Sequence, residues 1–283
     1  MIILERINDK VKEENMRDYL KDYVDFYAKL REQIGIPVNK EELKDLINEI
    51  EIGLFEAEDT TGTFQVSQTK KFFYVIMNNF IKNGNKRNDF LLKHEMTHLS
   101  SKFNKEYNER LNDLKEYFNG FKSVQENEDM SGWDVAFGVI GIEETLAQWC
   151  CEECNDVTNG EKRQSKTEEH IILGNSIKVK TDFSNHDIYA PLQEYVEDFA
   201  KKVGYKNLRD FAKAMILGEK SFFDLVNEEN VVSLGYIGIL CEGIYQENGF
   251  QKCGLPETDI PKAIKYLQKR KQQVDFPESP LDD

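Results

Sequence analysis

Five residues, His94-Glu95-Met96-Thr97-His98, constrain this chain more than any other feature in it. On a helix, side chains four residues apart stand one turn above each other on the same face. The two imidazoles can therefore reach a single tetrahedral ion. Glu95 is turned only about 100° from His94, so its carboxylate falls beside such an ion and not on it. From there it can take a proton from a metal-activated water and pass it to a leaving group. The chain holds four histidines, and two of them stand at this spacing around a glutamate. The reading is a Zn2+ site with Glu95 as catalytic base.

The flanking pattern gives that helix a setting. Asn88 is placed to cap a helix running from Asp89 to about Phe103. Leu92, Met96, Leu99 and Phe103 form a stripe opposite the histidines, so one face would anchor in a core while the other presents the ligands. Upstream, Lys71 to Phe80 reads KFFYVIMNNF, a β-rich run, and Thr63 to Ser67 alternates weakly after the turn cluster Asp59 to Gly62. Residues 11 to 33 and 40 to 51 carry apolar side chains three and four apart, which predicts two amphipathic helices. Asn39 caps the second, with Glu42 three residues on. A second long helix is expected from Val135 to Cys154, after a break at Ser131-Gly132. Asn155 to Glu169 is the most loop-like stretch, the chain beyond Pro191 reads as helical, and Asp275 to Asp283 reads as a frayed tail.

Composition narrows the function. With 52 acidic against 37 basic residues the formal charge is -15, which repels phosphate backbones and anionic membranes. No nucleic-acid or membrane partner is expected. There is no signal-like N-terminal stretch and no run near the roughly 20 apolar residues that span a bilayer. The five cysteines all lie beyond residue 149 and form no framework along the chain. A cytoplasmic protein with reduced thiols is the economical reading. Cys150, Cys151 and Cys154 read as small buried hydrophobes behind a helix, with Cys241 and Cys253 at no metal-like spacing.

A catalytic zinc needs a third protein ligand and an open position. Metzincins would place Gly at 101 and His at 104, where this chain has Ser101 and Asn104. Peptide deformylases use a cysteine upstream of the helix, where this chain has none. Residues 140 to 151 read IGIEETLAQWCC. Here the chain resembles the gluzincin metallopeptidases, in which a second helix donates a glutamate. The resemblance covers about residues 60 to 154. It implies Glu144 as third ligand, with Ala147 the small residue that follows it. Glu143 remains an alternative, and Asp134, His170 and His186 stay open behind it. Where thermolysin-like members carry an Asp that orients a histidine, this chain has Gln148, which could accept an imidazole N–H. The gap from His98 to Glu144 is longer than in those enzymes and implies an inserted helix.

The same resemblance implies a Tyr or His donor for the oxyanion of peptide hydrolysis. Tyr189 is the first candidate and His186 the second. The expected fold is α+β and zincin-like, mostly helical with one small sheet beside the metal helix. Residues 1–57 would be a helical cover, 58–154 the zinc-binding region and 155–283 a helical lobe. The expected activity is zinc-dependent hydrolysis of a peptide or protein substrate. A non-catalytic zincin-like binding or scaffold protein is the alternative, and so is a hydrolase of another substrate class. The intact Glu95 speaks against the non-catalytic one.

Overall fold

The computed structural model describes residues 5–6, 9–56, 65–67, 72–76, 86–110, 113–159, 165–172, 175–182 and 190–246. The expected turn at 59–62, the tail at 275–283, Cys253, His186 and Tyr189 lie outside the described residues.

The described chain is mostly helical. Helix α1 (Lys10–Gln33) starts at Asp9, whose carboxylate accepts the Lys12 N–H at 3.2 Å. Helix α2 (Lys40–Glu49) starts at Asn39, whose side chain accepts the Glu42 N–H at 3.2 Å, as its capping pattern predicts. Buried Met16, Leu20, Val24 and Tyr27 of α1 meet Leu43 and Ile47 of α2 in a small apolar cluster.

A four-stranded sheet follows. It consists of β1 (Glu5–Arg6), β2 (Glu51–Glu56), β3 (Gln65–Ser67) and β4 (Phe72–Ile76), in the order β1-β2-β4-β3. Strands β2 and β4 run parallel, with Glu51 opposite Phe72, while β3 pairs antiparallel to β4 with Val66 opposite Phe73. The β-rich run at 71–80 thus supplies the inner strand β4. Edge strand β3 lies against helix α3 (Lys86–Ser100), which carries the paired histidines.

Helix α3 differs from expectation at both ends. Asn88 lies inside it and does not cap it, and the helix stops at Ser100. Helix α4 (Lys102–Arg110) starts afresh, with the Ser101 hydroxyl accepting the Asn104 N–H at 3.3 Å. The anchoring stripe therefore divides. Leu92, Met96 and the partly buried Leu99 pack on the α1–α2 cluster, whereas Phe103 belongs to the larger core. Burying Leu92 and Met96 contributes about 1.5–3 kcal/mol each to holding the back of α3.

Two short helices, α5 (Leu114–Asn119) and α6 (Lys122–Gln125), fill the long gap between the motifs. Helix α7 (Gly132–Asn159) is longer than expected at both ends. Ser131 and Gly132 begin it: the Ser131 N–H and hydroxyl both donate to the Asp134 carboxylate, at 2.8 and 2.7 Å. The loop-like stretch after Cys154 is helix to Asn159, and the chain then forms an antiparallel hairpin of β5 (Ser165–Ile172) and β6 (Asn175–Asp182). The expectation of one small sheet is corrected by this second, two-stranded one.

Helices α8 (Ala190–Lys202), α9 (Leu208–Leu217) and α10 (Val231–Gln246) complete the described chain. Helix α10 runs along α7 at backbone contact. A Cβ on Gly238 would stand 1.7 Å from the Asp134 carbonyl oxygen, and one on Gly138 would stand 2.0 Å from that of Leu234. Glycine is required at both crossings because no side chain can share that space. Among the described residues, no helix is long and apolar enough to cross a membrane.

Candidate metal centre

Helices α3 and α7 pack against each other and bring the two sequence motifs together. His94 and His98 are 6% exposed and lie one turn apart on α3. The Nε2 atoms of His94 and His98 are 3.0 Å apart, and Glu144 Oε2 lies 3.0 Å from the first and 3.4 Å from the second. Zinc held by nitrogen or oxygen at about 2.0–2.1 Å separates tetrahedral ligands by about 3.3 Å. The triangle of donor atoms is close to that size. His94, His98 and Glu144 are also the one group of three or more metal-capable side chains found among the described residues.

Glu143 takes a different part. Its Oε1 lies 2.8 Å from Nδ1 of His98, on the far side of the ring from the triangle. If Nδ1 carries the proton and donates it to Glu143, Nε2 presents its lone pair, which is the tautomer a metal requires. Two neighbouring carboxylates thus have distinct tasks because consecutive residues on a helix diverge by about 100°. Gln148 does not share the orienting task. Its amide donates to Glu152 Oε1 at 3.0 Å, one turn further along α7.

The charges agree with a site built for a cation. Burial opposes ionisation of His98, but Glu143 and Glu144 outweigh it and hold the imidazole well above its usual range. Glu144 is likewise opposed by burial, yet His98 and His94 keep it well below the usual carboxylate range. For Glu143 burial dominates and its affinity for a proton is raised. Facing lone pairs and a carboxylate at this spacing need a proton or a metal between them.

Other expected residues are placed as follows. Glu95 is buried on α3 between the two histidines. Asp134 serves the start of α7 and is not in the group, and His170 stands in β5 opposite Ile177. Cys150, Cys151, Cys154 and Cys241 are buried and in no disulfide among the described residues. Burial pushes Cys150 up to about 12 and holds Cys151 and Cys241 well above the usual thiol range. They pack as small apolar groups, as their spacing suggested.

Two participants were missed from sequence. Arg31 is 1% exposed and sits behind the motif. Its Nη1 donates to Thr97 Oγ1 at 2.9 Å and to the Tyr27 hydroxyl, while Thr97 donates to the Lys93 carbonyl at 2.8 Å. Helix α1 thereby fixes α3 at the residue preceding His98. The signal was present: Arg31 follows Tyr27 by four and so shares the apolar face of α1. The other is Tyr107 on α4, a buried residue whose phenol is held above its usual range by burial first and then by the charge of Glu143. Its place depends on the break at Ser101, which no local pattern announces.

No protein-family model matches the chain, and neither the curated proteins nor the solved structures yield a match.

Proposed function

We propose that His94, His98 and Glu144 hold one Zn2+ and that the protein is a zinc-dependent hydrolase, best read as a metallopeptidase. The observation that carries this is the triangle of donor atoms with edges of 3.0, 3.0 and 3.4 Å on two packed helices, one of which also bears Glu95. Bound zinc would polarise a carbonyl and acidify a water molecule. The chain's own residues supply the rest. Glu143 orients His98 through Nδ1, and Glu95 holds and moves the proton. Tyr189, expected from sequence as oxyanion donor, lies outside the described residues.

The arrangement of α3 between an edge strand and a later glutamate-bearing helix supports a zincin-like reading of the fold. Strand β3 on the sheet edge beside α3 suits an extended peptide, because an edge strand offers main-chain hydrogen bonds to an added strand. The test is cleavage of a mixed peptide library by zinc-loaded wild type and Glu95→Gln. The expected result is hydrolysis by wild type and a loss of about 10²–10⁴-fold in the variant, with zinc content unchanged. Stoichiometric zinc with no cleavage by either protein would favour a non-catalytic binding module instead.

A further inference from the structure

Helix α7 carries a strip of side chains that begins at the surface and ends in the metal centre. Trp133, Phe137, Ile140 and Glu144 follow one another at intervals of four, three and four residues, so they share one face of the helix. Trp133 is 45% exposed, and Phe137 and Ile140 are half-buried. Past Glu144 the same face carries Ala147, Gln148 and Cys151, all buried. The strip is therefore open only up to the residue that meets the paired histidines, where α3 packs on α7.

Two observations join this strip to the site. The Glu144 side chain is 17% exposed, against 8% and 7% for His94 and His98, so the least covered edge of the triangle lies on the strip. Trp133 and Phe137 also pack edge to face, with ring centroids 5.2 Å apart, and neither belongs to the two apolar clusters of the described residues. Aromatic side chains set at the surface outside a core are the composition of a contact surface. Spacing sets the length of the occupant. At about 1.5 Å per residue Trp133 stands about 16 Å along the helix from Glu144, which an extended chain at about 3.3 Å per residue crosses in about five residues.

We infer that Trp133, Phe137 and Ile140 form a subsite for large apolar side chains of an extended peptide, within about five residues of the bond presented to the metal centre; the assignment rests on the zinc-peptidase reading above. The strip carries no charge before Glu144, so it selects by apolar area and ring contact. A polynucleotide or an anionic membrane is opposed by the formal charge of -15. The edge strand beside α3 adds main-chain bonding that an acyl chain could not use.

The experiment uses zinc-loaded Glu95→Gln, which keeps a peptide intact, and two blocked dodecapeptides: one of Lys, Ser and Leu, the other with Ala for every Leu. Calorimetry should show the Leu peptide bound at least about 10-fold tighter. Adding Trp133→Ala should reduce its affinity by about 2- to 10-fold, and Trp133→Tyr should recover most of that loss. Adding Tyr19→Ala, at an exposed aromatic on α1, should change nothing. Iodide quenching of tryptophan emission should fall as the Leu peptide binds, because Trp133 is the exposed one of the two tryptophans and Trp149 is buried. Equal affinity for the two peptides, an unchanged affinity in Trp133→Ala, an equal loss in Tyr19→Ala, or undiminished quenching at saturation would overturn the subsite and leave the peptidase reading to its cleavage test. Blue-shifted Trp133 emission on phosphatidylcholine vesicles, without a preference between the peptides, would make the strip a lipid contact and overturn it too. Wild type that takes up zinc but cleaves no library peptide would overturn both.

Discussion

Glu143 and Glu144 share a helix turn and a neighbour in His98, yet they differ in which nitrogen they meet. Glu144 faces both Nε2 atoms, and Glu143 faces Nδ1 alone. Glu144→Ala should therefore abolish stoichiometric zinc binding. Glu143→Gln should keep the metal but weaken it by about 10–100-fold, the usual cost of losing an orienting partner, as chelator competition would show. The reverse order of effects would exchange their roles. In sequence the pair was legible as a pair, since both are set among apolar residues of a helix. The division of labour was not, because it depends on how α7 is rotated against α3. Gln148 shows the same limit: its position fitted an orienting role, but Glu152 one turn on engages its amide.

Among the elements, α1, α2, α3 and α7 were legible because each carries a long apolar periodicity. The break at Ser101 was not, since Phe103 continues the stripe of α3 in sequence while packing in a different core. The hairpin β5–β6 was also hidden. Its strands are rich in charged residues, and the pairing of Glu169 with Lys178 across the ribbon appears only once the register is known. The α7–α10 crossing yields a prediction of its own. Gly238→Ala would drive a methyl group into backbone of α7, with atoms at 1.7 and 2.5 Å that cannot turn aside. Destabilisation of about 1–3 kcal/mol or more is expected from denaturant titration; an unchanged midpoint would mean the helices can part freely.

A second element-scale prediction concerns pH. Glu228 accepts the N–H groups of Lys122 and Ser123 at 2.9 Å and so caps α6. The Ser123 N–H and hydroxyl, with Lys122, hold its carboxyl below the ordinary value. A lowered folded pKa means that the stabilisation is complete above the unfolded carboxylate pKa of about 4.3 and is lost as pH falls through the folded value. Glu228→Ala should thus melt earlier than wild type at neutral pH, and the gap should close in acid. A gap that persists at the lowest pH would assign the effect to something other than this cap.

At the scale of the whole molecule, the metal centre joins two separate cores. Helix α3 is anchored by Leu92 and Met96 in the cluster with α1 and α2, whereas α7 belongs to the larger cluster with α8, α9 and α10. An ion bound between them adds its binding energy to the folded state alone. Zinc at 100 times its dissociation constant should stabilise wild type by about 2.7 kcal/mol, a shift that a chelator reverses and that Glu144→Ala lacks. The global charge of -15 was legible at once but spoke only to partners. The approach of Glu144 to the histidines was expected only through the resemblance, and that it spans two cores depends on how α3 and α7 pack, which no local pattern records.

One ion held by two imidazoles and a carboxylate is the proposed centre of this molecule. Zinc-edge X-ray absorption of the zinc-loaded protein addresses it directly. The expected spectrum has one zinc per chain, nearest neighbours of nitrogen and oxygen at about 2.0–2.1 Å, and the outer-shell scattering of two imidazole rings. A sulfur shell at about 2.3 Å would hand the metal to the cysteines and overturn the assignment to His94, His98 and Glu144.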